Sequence, residues 1–346
     1  MKKAKDLVIR KILPSVVFLM FSALLVIGTD NDREISEKLY SPGSKFSLVF
    51  AVAGIYLFFG LFVFYSGSLF RHNMNSKKGK NDRYTSAGTC ILCAVTAAII
   101  GAHALRGRAC LGSFMHIEEG IAYLLLTALT AMFPLFILGI LLSGKKRDPD
   151  AVRELTGIIL FMIVVFLVQT VLKHIFVRPR FYLMHMPVND YVSDVGFEPW
   201  YKISADPTEL INKYDLQKSD FMSFPSGHTM NAFAGVLAIP VLAYAVPYLR
   251  KFKVVFKILA VIIAPCIMVS RIIMGAHYLT DVAFAGMTGV VLCYFYSMIM
   301  DYMRDPFGVA KINQKAEDEK IKEEKEREEK YKFWECSSHD AQQWFQ

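Results

Sequence analysis

The chain has 346 residues, of which 54% are hydrophobic, and its formal net charge is +8. Long apolar runs alternate with short charged clusters, which excludes an ordinary soluble protein and predicts an all-α, polytopic membrane helix bundle. The basic residues lie at the ends of the apolar runs, where membrane topology accounts for them. The positive charge therefore does not indicate nucleic acid as a partner.

Eight apolar segments are long enough, or nearly so, to cross a hydrocarbon core of roughly 30 Å at about 1.5 Å per residue. The first follows a basic N-terminus, and we expect it to remain as an uncleaved helix because no small-residue cleavage site stands out after it. The expected spans cover residues 12–29, 46–68, 85–104, 120–142, 155–175, 227–248, 254–274 and 279–301.

The distribution of Lys and Arg predicts the orientation of these spans. Basic clusters occupy the N-terminus and the alternate loops at residues 71–83, 145–153 and 250–257, so we expect all of these loops and both termini on the cytoplasmic side. The opposite side then receives residues 30–45, 105–119, a long loop at about 176–226, and the junction of the last two spans. We expect a multi-pass protein of the cell (inner) membrane.

The C-terminal tail differs from the rest of the chain. Residues 311–332 hold eight basic and eight acidic side chains, with acid-before-base pairs at helical spacing. This pattern predicts a solvated cytoplasmic helix, with too thin an apolar seam for a coiled coil.

Six cysteines are scattered along the chain. Cys90 and Cys93 have the spacing of a zinc-binding pair, but no second pair and no flanking His accompany them. We therefore interpret them as buried apolar residues, and no disulfide framework is implied.

Three polar clusters are expected at the outer ends of helices. The first contains Lys173, Arg178 and Arg180, and because Pro179 ends the helix, the two arginines should project from an extended exit. In the second, Pro225, Ser226 and Gly227 lead into a helix and are followed by His228. A proline, a hydroxyl and a glycine at a helix start expose backbone N–H groups, which favours an anion.

The third cluster runs from Ser270 to Asp281 and includes Arg271 and His277. If this stretch is helical, His277 and Asp281 lie on one face, and the carboxylate can accept the imidazole N–H and support a positive ring. That arrangement is typical of a histidine nucleophile or base. A lone histidine of this kind is more often structural, so the argument rests on the other two clusters.

Together the clusters supply several cations, a hydroxyl, a helix N-terminus and two histidines on one face, a set suited to binding a tetrahedral oxyanion. They contain no carboxylate cluster for magnesium and no His/Cys set for zinc, so we expect no metal and no cofactor.

At these residues the sequence resembles the type 2 phosphatidic acid phosphatase (PAP2) family, a branch of the vanadium haloperoxidase-like superfamily. The family pattern is Lys-x6-Arg-Pro, then Pro-Ser-Gly-His, then Ser-Arg-x5-His-x3-Asp. The second and third parts match in full at Pro225–His228 and Ser270–Asp281. The first departs, because Phe181 follows Arg180 where the family has proline, and an Arg-Pro pair occurs two residues earlier at Arg178. The resemblance covers roughly residues 155–301.

The resemblance implies a role for each matching residue. His277 would be the nucleophile that forms a phosphohistidine, Asp281 would orient it, and His228 would be the general acid and then the base. The implied phosphate ligands are Lys173, Arg180, Arg178 as a second candidate, Ser226, the Gly227 N–H and Arg271. The implied domains are an extra N-terminal hairpin at 1–84, a catalytic membrane domain at 85–305 and a charged tail at 306–346.

The expected function is therefore a metal-independent membrane lipid phosphatase. The substrate would be a lipid phosphomonoester or diphosphate, of the phosphatidic acid, phosphatidylglycerol phosphate or polyprenyl diphosphate class. A lipid-linked phosphotransferase is one alternative, and a non-catalytic transporter or scaffold is another. The partners are the bilayer and the lipid substrate, and the sequence leaves the oligomeric state open.

Overall fold

The computed structural model describes residues 12–77, 79–114, 117, 120–185, 195–203, 206–305 and 323–327. Within these residues eight helices are long and apolar enough to cross a membrane, and no β-strand occurs, which confirms the predicted all-α bundle. They are α1 (Leu13–Leu39), α2 (Lys45–Met74), α3 (Lys80–Arg106), α4 (Ile121–Leu142), α5 (Pro149–Ile175), α6 (Gly227–Ala245), α7 (Pro247–Ile273) and α8 (Leu279–Arg304).

Helix α1 continues to Leu39, ten residues beyond the membrane span predicted at residues 12–29. Its last turns are amphipathic rather than apolar. Arg33 pairs with Glu37, and Lys38 with Glu34, on the exposed face, while Asp32 is buried on the opposite face. The ion pairs at helical spacing allow the helix to extend beyond the apolar run that the sequence displays.

Two compact units divide the chain, Met1–Tyr296 and Ser297–Gln346. In the second unit, α8 ends at Arg304 and residues 323–327 are helical. The remainder of the predicted tail helix lies outside the described residues. The predicted domain boundaries at residues 84 and 305 stay predictions.

Helix α2 is the central element of the first unit. It packs against α3, α4, α5, α6 and α7. Its aromatic side chains fill the core, where Phe58 and Tyr65 are almost completely buried, and the Tyr65 hydroxyl donates to the Ala238 carbonyl oxygen on α6 at 2.6 Å. A buried tyrosine of this kind stabilises the bundle by packing while its hydroxyl stays hydrogen-bonded.

The contact between α2 and α4 is a backbone contact at two glycines. A Cβ atom on Gly67 would lie 2.0 Å from the Phe136 carbonyl oxygen, and one on Gly139 would lie 2.1 Å from the Phe64 carbonyl oxygen. Small residues permit this close approach of helices in a membrane, where packing rather than the hydrophobic effect drives association.

We predict that Gly67→Ala and Gly139→Ala each destabilise the protein, because the added methyl group forces α2 and α4 apart. The measurement is the midpoint of thermal unfolding in detergent. The matched control is Gly88→Ala on α3, where a Cβ atom meets nothing within 4 Å. Equal midpoints for all three variants would show that the glycine contact does not limit stability.

Candidate active site

The three polar clusters meet at one end of the helix bundle. Arg180 Nη1 lies 3.3 Å from His277 Nε2, which joins the first cluster to the third. Lys173 Nζ and Arg180 Nη2 both donate to the Met222 carbonyl oxygen, at 2.6 and 3.3 Å, just before the second cluster. The Ser226 N–H donates to the Asp281 carbonyl oxygen at 3.1 Å. Side chains far apart in the chain therefore form one site.

The end of α7 brings His277 into this site. Gly275 has a φ of +70°, the left-handed conformation that commonly ends a helix, and the N–H groups of Ala276 and His277 both return to the Arg271 carbonyl oxygen, at 3.1 and 3.2 Å. A Cβ atom on Gly275 would lie 2.6 Å from the Tyr40 ring. Both the dihedral angle and the space therefore require glycine here.

The first cluster follows α5 in an extended segment, as the sequence predicts. This segment pairs with the chain just before α6: the Ser223 N–H donates to the Arg178 carbonyl oxygen, and the Arg180 N–H donates to the Asp220 carbonyl oxygen, each at 3.0 Å. The pairing fixes both arginine side chains relative to the N-terminus of α6.

His277 is buried, with only 1% of its surface exposed. Its Nδ1 lies 2.6 Å from the Ser223 carbonyl oxygen. A carbonyl only accepts hydrogen bonds, so Nδ1 carries the hydrogen and the lone pair lies on Nε2, beside Arg180. Burial holds the pKa of His277 well below its usual value; Asp281 opposes this shift, and the nearby Arg180 and Lys173 reinforce it. The imidazole is therefore neutral and its Nε2 is available as a nucleophile.

The contact between His277 and Asp281 differs from the expected direct hydrogen bond. Asp281 Oδ2 is 3.6 Å from His277 Nδ1, too far for a hydrogen bond. Ser223 lies between them: its carbonyl oxygen accepts from the imidazole, and its hydroxyl donates to Asp281 Oδ2 at 2.5 Å. No sequence signal singled out Ser223, because its role depends on how the chain before α6 folds against α8.

The structure gives the two candidate arginines different positions. Arg178 donates to Asp281 at 2.5 Å, to Asp32 at 2.9 Å, to Thr280 at 3.0 Å and to the Glu198 carbonyl oxygen at 2.8 Å. Protein acceptors thus occupy its guanidinium. Arg180 also donates to carbonyl oxygens, from Nε to Ser219 at 2.9 Å and from Nη1 to Ala276 at 2.7 Å, but its Nη1 lies 3.3 Å from the His277 Nε2 atom as well. Arg180 is accordingly the better placed of the two to contact a phosphoryl group.

Two groups in the site have buried nitrogen atoms without a partner among the described residues. Arg271 is completely buried, and although its Nη2 donates to the Ala109 carbonyl oxygen at 2.5 Å, its Nε and Nη1 have no acceptor. The Nε2 atom of His228 likewise has none. Buried polar groups are normally paired, so these nitrogen atoms are suited to bind an oxygen-rich ligand.

The start of α6 provides the remaining groups of the predicted set. Ser226 is the N-cap residue, and its hydroxyl oxygen accepts from the Thr229 N–H and hydroxyl at 3.4 and 3.0 Å. A Cβ atom on Gly227 would lie 3.3 Å from the Lys173 side chain, so the helix start and this lysine are in close contact. The first amides of α6 thus lie beside a cation, which favours an anion there.

Within the described ranges no group of three or more His, Cys, Asp or Glu side chains could hold a metal ion.

These features define a class: a membrane helix bundle with a buried histidine and a cluster of cations at one end. Residues 154–305 match the family model described as the PAP2 superfamily, so the chain contains a PAP2 superfamily domain over that range. A curated relative, phosphatidylglycerophosphatase B of Bacillus subtilis (strain 168), is 40% identical over 83 residues, which are 23% of this chain. The chain thus spans 39% of that relative's length. No solved structure matches the chain.

We predict that Arg271→Gln weakens the binding of inorganic phosphate by about tenfold or more, because a hydrogen bond from a buried charged group is lost. The apo protein should remain at least as stable as the wild type, since an uncompensated buried cation is removed. Isothermal titration and thermal unfolding measure the two effects. The control is Arg250→Gln, an arginine that pairs with Asp148. Unchanged phosphate affinity in the Arg271 variant would contradict the assignment.

Proposed function

We propose that this protein is a membrane lipid phosphatase that hydrolyses a phosphomonoester or diphosphate through a phosphohistidine at His277. One observation carries the proposal: the buried imidazole has its Nε2 atom 3.3 Å from Arg180 Nη1, beside a cation. The PAP2 superfamily domain and the phosphatidylglycerophosphatase relative support the same reaction class.

In the first step, His277 Nε2 attacks phosphorus and the bond to the leaving oxygen breaks. His228 gives its proton to that oxygen, so the lipid alcohol leaves uncharged. The cations Lys173, Arg180 and Arg271 stabilise the charge on the other phosphoryl oxygens as it redistributes in the transition state.

The imidazole becomes positive as the P–N bond forms, because Nδ1 keeps its hydrogen. The Ser223 carbonyl oxygen accepts that hydrogen at 2.6 Å, and the Asp281 carboxylate lies 3.6 Å away. A carboxylate at this distance stabilises the positive ring by charge rather than by a direct hydrogen bond.

In the second step, water attacks the phosphohistidine while His228, now neutral, takes its proton. The P–N bond breaks, inorganic phosphate leaves, and His277 returns to its neutral form with His228 protonated. The two histidines therefore start the cycle in opposite protonation states. The negative charge of the bound phosphoryl group is what lets His228 hold a proton among the cations.

A membrane lipid is the proposed substrate class because the site lies at the ends of membrane-length helices. The relative's name makes phosphatidylglycerol phosphate the first candidate, with phosphatidic acid and polyprenyl diphosphate as the others. The Lys and Arg bias of the loops supports an extracytoplasmic site with both termini in the cytoplasm.

We predict that the purified protein releases inorganic phosphate from at least one lipid of this panel, and that His277→Ala abolishes the release. Wild-type protein quenched in alkali during turnover should contain an alkali-stable, acid-labile phosphate on His277, located by mass spectrometry. The control is His174→Ala, an exposed histidine whose Nδ1 lies 2.8 Å from the Thr170 carbonyl oxygen of its own helix.

Normal phosphate release from the His277 variant would overturn the mechanism. Formation of the phosphohistidine with transfer to an added lipid or sugar alcohol, and no free phosphate, would identify a phosphotransferase instead.

We predict that a cysteine at position 202 reacts with a membrane-impermeant maleimide in intact cells, whereas one at position 146 reacts only after lysis. Both Lys202 and Lys146 are exposed, and they fall on opposite sides in the proposed orientation. The variants Lys202→Cys and Lys146→Cys are made in a chain without its native cysteines. The reverse labelling pattern would place the site on the cytoplasmic side.

A further inference from the structure

Helix α1 lies outside the range that matches the PAP2 family model, yet it contributes a buried carboxylate to the neighbourhood of the site. Asp32 is 2% exposed. Its Oδ2 accepts from Arg178 Nη2 at 2.9 Å and also from the Thr280 hydroxyl, and its Oδ1 accepts from the Thr280 N–H at 2.9 Å. These three hydrogen bonds join Asp32 to Arg178, which binds Asp281, and to Thr280, which precedes Asp281 in the chain.

A close helix contact brings Asp32 to this position. A Cβ atom on Gly28, one turn earlier in α1, would lie 2.8 Å from Thr280 Cγ2 and 3.2 Å from the Thr280 nitrogen. Only glycine therefore lets α1 approach the start of α8 closely enough for Asp32 to reach it. The Trp200 indole N–H donates to Thr29 at 3.1 Å and holds α1 from the side of the loop before α6.

The guanidinium of Arg178 connects this carboxylate to the reacting histidine. Arg178 Nη2 binds Asp32 and Nη1 binds Asp281, so one positive charge lies between two negative charges. The Tyr278 ring lies 4.0 Å from the guanidinium and the Arg178 side chain is buried, which leaves it little freedom to rotate. The orientation of Arg178 therefore depends on both carboxylates.

This triad has an electrostatic consequence for Asp281. An arginine paired with Asp281 alone would form a pair of net charge zero. Arg178, Asp32 and Asp281 instead form a triad with a net charge of −1, because one arginine is shared by two carboxylates. That remaining charge lies near His277, which becomes positive when it is phosphorylated. The first turn of α8, which holds Asp281, is also fixed by the bond from the Thr280 N–H to Asp32.

We propose that Asp32 is a positioning residue of the active site, which acts through Arg178 and Thr280 to hold Asp281 in place and to leave a net negative charge beside His277. This inference rests on the proposed phosphatase function. It assigns α1 a part in catalysis rather than a role as an additional membrane anchor.

The test compares the full-length variants Asp32→Asn and Asp30→Asn in detergent or lipid nanodiscs. The substitution keeps the shape of the side chain, and Asp30 lies on the exposed face of the same helix. With a lipid that the wild type hydrolyses, Asp32→Asn should lower kcat about tenfold or more while KM changes less than about threefold, because phosphate ligands are untouched. Asp30→Asn should match the wild type in both constants.

A double-mutant cycle tests whether Asp32 acts through Arg178. If it does, adding Asp32→Asn to Arg178→Met lowers kcat by much less than the same change does in the wild-type background. Should Asp32→Asn fail to yield monodisperse protein, Gly28→Ala provides the same comparison, because it displaces α1 from Thr280 without removing the carboxylate.

A second measurement separates this inference from the proposed function. If no lipid releases phosphate, the proposed function fails, and the rate at which diethyl pyrocarbonate acylates His277 then tests the inference without turnover. We expect Asp32→Asn, but not Asp30→Asn, to slow this acylation about threefold or more, because the ring becomes positive during the reaction. The proposal would be overturned if a folded Asp32→Asn or Gly28→Ala variant had the kcat of the wild type. In the absence of turnover, a wild-type rate of acylation in either variant would overturn it.

Discussion

The guanidinium of Arg178, bound by the carboxylates of Asp32 and Asp281, is the interaction on which the geometry of the site depends. It joins α1, the segment after α5 and the start of α8 at one point. Taking three charged groups out of water costs several kcal/mol per ion unless each is well paired. Here each carboxylate also accepts backbone or hydroxyl hydrogen bonds, at Thr280, Ser223 and the Tyr278 N–H. The triad is therefore satisfied, and it fixes the position of Asp281 before any ligand binds.

The part of the site around Arg271 and His228, by contrast, contains buried nitrogen atoms without hydrogen-bond partners among the described residues. Arg271 is completely buried and keeps two nitrogen atoms without an acceptor in the described part of the chain, and His228 keeps one. An unpaired buried charge destabilises a protein, so a site of this kind trades stability for affinity toward an anion. The two arginines of the first motif differ in their neighbours: Arg178 lies between the carboxylates of Asp32 and Asp281, whereas Arg180 lies beside His277 Nε2. In the proposed mechanism, Arg178 therefore supports the site and Arg180 contacts the phosphoryl group.

The structure brings the three predicted clusters together at one end of the bundle, and part of the reason lies in local sequence. Gly275 ends α7 in the left-handed conformation, Pro225 and Ser226 start α6, and Pro179 follows the end of α5. Such signals determine where each helix begins or ends, and therefore which residues lie at its end. They do not show which acceptor a side chain finds, so the sequence missed that Ser223 lies between His277 and Asp281. The functional roles implied by the family resemblance remain proposals.

The sequence by itself determined the eight spans, because a length of about 20 apolar residues is a local property that the bilayer imposes on each helix separately. It also determined which residue types are available for an oxyanion site. Only the tertiary structure decided the use of Asp32, because this side chain is buried against Thr280 and Arg178, which lie far from it in the chain. That burial depends on a glycine contact between the first and last helices, which are separated by more than 200 residues in the chain. Such long-range packing leaves no periodic pattern in either segment, so no local reading of the sequence reveals it.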